Sequence, residues 1–165
     1  MATAAEKLTV AEFERQYGQV KPYYEFWHGE ALQKSMPTWL DALLQKILMD
    51  LLSEAGYKPE SEVKLKIDPE FHAIPDVIAT RGRIELPYPT KSVEVVVEVL
   101  SDDDPMSRIL TKCRAYQDWG FEQIYVVDAK SRIVFRWADH RLEEVNVFAS
   151  ISVERIWSAL DQALA

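Results

Sequence analysis

The segment Val93–Leu100 reads Val-Glu-Val-Val-Val-Glu-Val-Leu, and no other stretch of the chain narrows the fold as much. β-Branched residues in a continuous run favour extended backbone, and apolar side chains on both faces require cover from both sides. The run therefore predicts a central strand. With side chains alternating, Glu98 shares a face with Glu94, Val96 and Leu100. In a central strand Glu98 needs a cation, a metal or a proton; on an edge strand water or a salt bridge would satisfy it.

The rest of the chain supplies the cover. Thr9 N-caps a predicted helix over Val10–Tyr17, with Glu12 as a capping-box partner and Gly18 as its stop. Tyr23–Trp27 and Glu30–Lys34 flank His28-Gly29 and predict a hairpin. From Thr38 to Gly56, leucines and isoleucines recur at three and four and predict the longest helix. Glu62–Ile67 alternates as a half-exposed strand, Asp76–Thr80 reads as a second strand after Pro75, and Arg81–Lys91 as a loop with Pro87 and Pro89. Beyond the valine run come a helix over Met106–Trp119, opened by Asp102–Asp104 and Pro105, then strands at Gln123–Val127, Ile133–Trp137 and Glu143–Phe148. Ser152 caps a last helix to Leu164. The order predicts one α/β (α+β) domain over residues 1–165, a mixed β-sheet flanked by helices.

Charge bears on partners. The 19 Lys and Arg against 27 Asp and Glu give a net charge of −8, and no large segment is net basic. A broad phosphate-neutralising footprint is not visible in the linear sequence. No apolar run approaches membrane-spanning length. The start of the chain has no apolar signal core, and the single Cys113 offers no internal disulfide and no cysteine metal cage, so a cytoplasmic protein is expected.

Asp76 opens a strand, as Glu98 interrupts one. Two carboxylates on neighbouring strands can converge on a hard cation such as Mg²⁺, or serve as a general acid and base pair as in glycoside hydrolysis. Alternatively, Asp76 is a strand-start residue bonding nearby backbone. On the following helix, Lys112 lies near the edge of a packing stripe of Ile109, Cys113 and Tyr116, where it is either a lysine snorkelling at the surface or a third member of the site with Asp76 and Glu98. His28, His72 and His140 lack metal-ligand spacing and read as surface or hairpin residues, Asp102–Asp104 as helix capping, and Asp128 as a turn former. The five tryptophans read as packing residues.

The ordered set Ile74-Pro75-Asp76-Val77-Ile78, Val97-Glu98-Val99-Leu100-Ser101, Lys112-Cys113-Arg114-Ala115-Tyr116, Gly120 and Ile124–Asp128 resembles the Uma family of putative restriction endonucleases, within the PD-(D/E)XK nuclease-like superfamily. Tyr24–Glu30 is similar to the family's opening hairpin. The resemblance implies a restriction-endonuclease-like fold and a DNA-cleaving hydrolase using Mg²⁺ (or Mn²⁺). It implies Asp76, Glu98 and the backbone carbonyl of Val99 as metal ligands, and Asp76, Glu98 and Lys112 as catalytic residues. The superfamily's lysine two residues after the glutamate is Leu100 here, so Lys112 takes that part. The histidine often found near the start of the long helix is absent, with Asp41 the nearest ionisable group.

Several readings stay open at this point. One is an active endonuclease, expected as a homodimer, since one small catalytic domain cuts one strand. Another is a catalytically inactive nuclease-fold domain acting in protein-partner binding or regulation. A sugar hydrolase would instead require an open groove with carboxylates free of lysine. For DNA, Arg81, Arg83 and Lys91 around the proline-containing loop and Arg108 and Arg114 on the helix are the candidate contacts, expected near the catalytic positions.

Overall fold

The computed structural model describes residues 6–165. A six-stranded mixed sheet forms its centre, in the order β10 (Arg141–Glu144), β9 (Ile133–Ala138), β8 (Gln123–Asp128), β7 (Val95–Val99), β6 (Val77–Thr80) and β3 (Lys58–Ser61). Only β7 and β8 run parallel, joined through helix α3 (Met106–Trp119); the other neighbours are antiparallel. The valine run is thus central, and each of its five strand residues is buried.

Its two faces carry different layers. Val95, Val97 and Val99 pack with α2 (Trp39–Glu54) and α4 (Val153–Leu164), whose buried residues include Leu44, Leu48, Ile156 and Leu160. Val96, on the other face, meets Ile109, Cys113 and Tyr116 of α3. A four-stranded antiparallel sheet covers the rest of that face, ordered β2 (Glu30–Gln33), β1 (Tyr24–Trp27), β5 (Phe71–Ala73) and β4 (Leu65–Asp68). Helix α1 (Val10–Tyr17) inserts Phe13 against Phe26 of β1. A short pair, β11 (Val147–Phe148) with β12 (Ile151–Ser152), leads into α4.

Local chemistry accounts for the boundaries. His28 and Gly29 both take positive φ, the twist that a two-residue hairpin needs. Thr38 and Asp41 form a complete capping box on α2. Gly120 ends α3 in the left-handed conformation, which glycine adopts without a Cβ clash.

Several expectations are corrected. Glu12 does not close a capping box: its carboxylate accepts from the Thr9 hydroxyl, while its N–H donates to that same oxygen. Pro105, not the acidic triplet, is the N-cap of α3, and it makes no side-chain cap bond; nor does Ser152 at α4. The alternation over Glu62–Ile67 breaks at Glu62, which turns to φ 59 and separates β3 from β4. Glu143–Phe148 likewise divides between β10 and β11. His72 is buried, with its Nδ1 unbonded among the described residues, rather than lying at the surface, and Trp39 is 88% exposed rather than packed. Asp128 does form a turn, accepting from the N–H groups of Lys130 and Ser131.

Candidate active site

Strand register brings the two acids together. β6 and β7 are antiparallel with Val77 opposite Val97, so one further step sets Asp76 opposite Glu98. Opposed residues of an antiparallel pair point to the same face, which here is the α3 side. The ladder ends at that step, and the Asp76 carboxylate replaces a backbone acceptor: the Val99 N–H donates to Asp76 Oδ2 at 2.6 Å.

Lys112 does not snorkel. It lies inside the buried stripe of α3, 5% exposed, with its Nζ on Glu98 Oε1 and 2.8 Å from Glu25 Oε2. Glu98 itself is 3% exposed, and its Oε1 also accepts from the Tyr116 hydroxyl at 2.8 Å. Its Oε2 takes no hydrogen bond among the described residues. Glu25, on β1, accepts from the Ile74 N–H at 2.6 Å, which ties the four-stranded sheet to the site.

A second lysine completes the arrangement. The Lys34 Nζ lies 3.0 Å from Asp76 Oδ1, 2.7 Å from the Ile74 carbonyl and 3.3 Å from Glu62 Oε1. Neither Lys34 nor Glu62 nor Glu25 is singled out by the sequence reading. Glu25 had a signal: it is an acid inside an aromatic run, as Glu98 is inside valines.

These groups line one cavity of about 540 Å³, walled also by Tyr23, Trp27, Leu32, Met36 and Ile109. Six carboxylates line it against four cations, Lys21, Lys34, Arg108 and Lys112. A phosphodiester entering this space needs further positive charge. Burial pushes the Glu98 carboxyl up to about 7, with Lys112 opposing and Asp76 reinforcing the shift. Burial works against the Lys112 ammonium, but Glu25 and Glu98 outweigh it and hold the proton above the ordinary lysine range. For Lys34 too, burial opposes the charge, and Asp76 foremost reverses the balance. Both lysines are therefore cations at neutral pH.

The donor set suits a hard divalent cation. Among the described residues no three His, Cys, Asp and Glu side chains cluster as a metal cage. Two carboxylates and a main-chain carbonyl, with water completing the shell, are what Mg²⁺ accepts, and Mg²⁺ keeps several waters. Glu98 fits because one oxygen is free of hydrogen bonds and its charge lacks full compensation.

The remaining candidates are dispersed. Arg108 lines the cavity, while Arg114 is on the exposed side of α3. Arg81, Arg83 and Lys91 lie beyond the end of β6, in the loop leading back to β7. That is the opposite end of the strand pair from Asp76 and Glu98, which corrects the expectation that they adjoin the site. Arg81 packs over Tyr57, 4.2 Å from the ring centre, and donates to the Ala55 carbonyl. The sugar-hydrolase alternative fails its own condition, because each carboxylate touches a lysine.

A mixed sheet with an acid at the same end of two adjacent strands, and a lysine from the helix that follows the second of them, defines a restriction-endonuclease-like domain. The chain belongs to the Uma2 family, described as "Putative restriction endonuclease", which matches residues 10–161. Among solved structures, a putative nuclease belonging to DUF820 from Anabaena variabilis ATCC 29413 shares the fold. Its TM-score is 0.75 at 17% identity, over 93% of this chain and 99% of that one. A chain of the DrdV–DNA complex matches with a TM-score of 0.44 at 16% identity, over 73% of this chain and 11% of that one. No curated protein matches. Among the described residues, no helix is long and apolar enough to cross a membrane.

Proposed function

We propose that the chain is a divalent-metal-dependent endonuclease that hydrolyses phosphodiester bonds in DNA. The observation that carries this reading is the convergence of Asp76, Glu98 and Lys112 on one acidic cavity. Asp76, Glu98 and the Val99 carbonyl would hold Mg²⁺ or Mn²⁺. When bound, such an ion supplies Lewis acidity at the phosphate and lowers the pKa of a coordinated water.

The protein's own groups do the rest. The Val99 N–H fixes the orientation of Asp76. Tyr116 and Lys112 both bind Glu98 Oε1, and Oε2, without a hydrogen bond among the described residues, would be the oxygen that holds the ion. An ammonium has three N–H groups, and Glu25 and Glu98 take two from Lys112. The third is available to orient the attacking water or meet charge growing on the phosphoryl oxygens. Arg108 at the cavity is the nearest proposed DNA contact; Arg114, Arg81, Arg83 and Lys91 reach DNA only where it extends past α3 or round the far end of the sheet. Cutting both strands would call for a homodimer, and the proposed setting is the cytoplasm.

Incubation of the purified protein with supercoiled plasmid and Mg²⁺ tests the reading. Nicking that EDTA stops, and that Asp76→Asn and Glu98→Gln each reduce at least 1,000-fold (on the order of ~4 kcal/mol of barrier), is the expected result. Intact plasmid with both Mg²⁺ and Mn²⁺, and no binding of either ion, would instead favour the inactive domain that serves protein partners.

A further inference from the structure

Lys34 directly follows β2, and its backbone N–H donates to the Tyr23 carbonyl at 2.8 Å, so its Cα is pinned by the hairpin. A lysine at a strand end ordinarily extends into water. This one turns inward, its side chain 13% exposed, and its Nζ sits among four oxygens from three residues. They are the Ile74 carbonyl at 2.7 Å, Asp76 Oδ1 at 3.0 Å, and Glu62 Oε1 and Oε2 at 3.3 and 3.4 Å. These are ammonium hydrogen-bond lengths, longer than the roughly 2.0–2.6 Å of Mg²⁺ or Ca²⁺ to oxygen.

The cage is built, not incidental. Glu62 reaches it from a backbone held at φ 59, which a non-glycine residue adopts only when its surroundings impose it. Asp76 then links two charge positions: one oxygen is on Lys34, and across the strand pair stands Glu98. Two-cation phosphoryl-transfer sites place their cations roughly 3.5–4 Å apart to clamp the attacking and leaving oxygens. Here a lysine ammonium lies 3.0 Å from the Asp76 carboxylate.

We propose that the Lys34 ammonium, caged by Glu62, Asp76 and the Ile74 carbonyl, is the site's resident second cation, so that the protein takes a single divalent ion. The inference rests on the metal-dependent reading above and specifies how many ions that site holds. Its role is to neutralise the phosphate alongside the bound ion, and to deny the Glu62–Asp76 cage to a second one.

Mn²⁺ titration by calorimetry, on the full chain, reads the stoichiometry directly. Wild type and Lys34→Arg are expected to bind one equivalent. Lys34→Met, which keeps the stem and removes the charge, is expected to bind two and to lose about 100-fold in Mg²⁺-dependent cleavage. Two equivalents in wild type, or one in a folded Lys34→Met, overturns the proposal while leaving the nuclease reading intact. No binding in any of the three removes the metal reading itself, and the proposal with it. Should Lys34→Met fail to fold, Glu62→Gln carries the test: roughly tenfold weaker cleavage with Mn²⁺ still at one equivalent supports the cage, and unchanged cleavage overturns it.

Discussion

Glu98 occupies a position where an uncompensated charge is expensive, and its titration follows from that. Its carboxyl stands at about 7 in the folded protein against an ordinary 4.5. Between those values the folded chain holds a proton that the unfolded chain has released, so stability falls as pH rises through the window. His72, pushed down by burial against the pull of Glu14, acts with the opposite sign, because the unfolded chain protonates first as pH falls. The contribution of Glu98 is therefore isolated by difference. Between pH 4 and pH 8, roughly the span that brackets this titration, the metal-free wild type is expected to lose more in Tm than Glu98→Gln does. Equal slopes in thermal melts would show that Glu98 does not titrate in that range. At the same scale, Tyr116→Phe removes one of two donors on Glu98 Oε1. It should cost about 1–3 kcal/mol in urea unfolding, the loss of a hydrogen bond to a buried charged group.

The helices were legible because their ends carry their own chemistry. Thr38 with Asp41, the leucine periodicity behind them, and Gly120 are local signals that tertiary structure did not override. Thr38→Ala removes the cap and should destabilise the protein by about 1 kcal/mol in a denaturant titration. Short strands were less legible. β5 is three residues long, and β3 contains Pro59, which belongs on a sheet edge and hides a strand from pattern reading. The site divides the same way. Asp76 and Glu98 stand out because each breaks or opens an apolar strand, and Lys112 because it shares a helix face with Tyr116. Lys34 and Glu62 look like ordinary solvated charges in short mixed runs; antiparallel pairing of β3 with β6 sets Glu62 beside Asp76, and only the stacking of the smaller sheet over the larger brings Lys34 there. The inward turn of Lys112 was also beyond local reading, since its partner Glu25 lies far away in sequence on β1.

At the scale of the whole molecule, antiparallel pairing of β6 with β7 decides which cations share the cavity with the acids. The loop joining the two strands lies at the end away from Asp76, so proximity in sequence misled for Arg81, Arg83 and Lys91. With a net charge of −8, DNA contacts should be few and close to the cavity. Arg108→Ala is expected to lower the salt dependence of DNA affinity by about one ion and weaken binding, whereas the Arg81→Ala/Arg83→Ala pair changes either by much less. An equal or larger loss from the pair would move the DNA-binding edge to the far end of the sheet. The metal site remains the claim on which the rest depends, and anomalous diffraction from crystals soaked in Mn²⁺ tests it most directly. A single anomalous peak between the carboxylates of Asp76 and Glu98 is the expected result. No peak at saturating Mn²⁺, with Asp76 still on Lys34 and Glu98 still on Lys112, would contradict it.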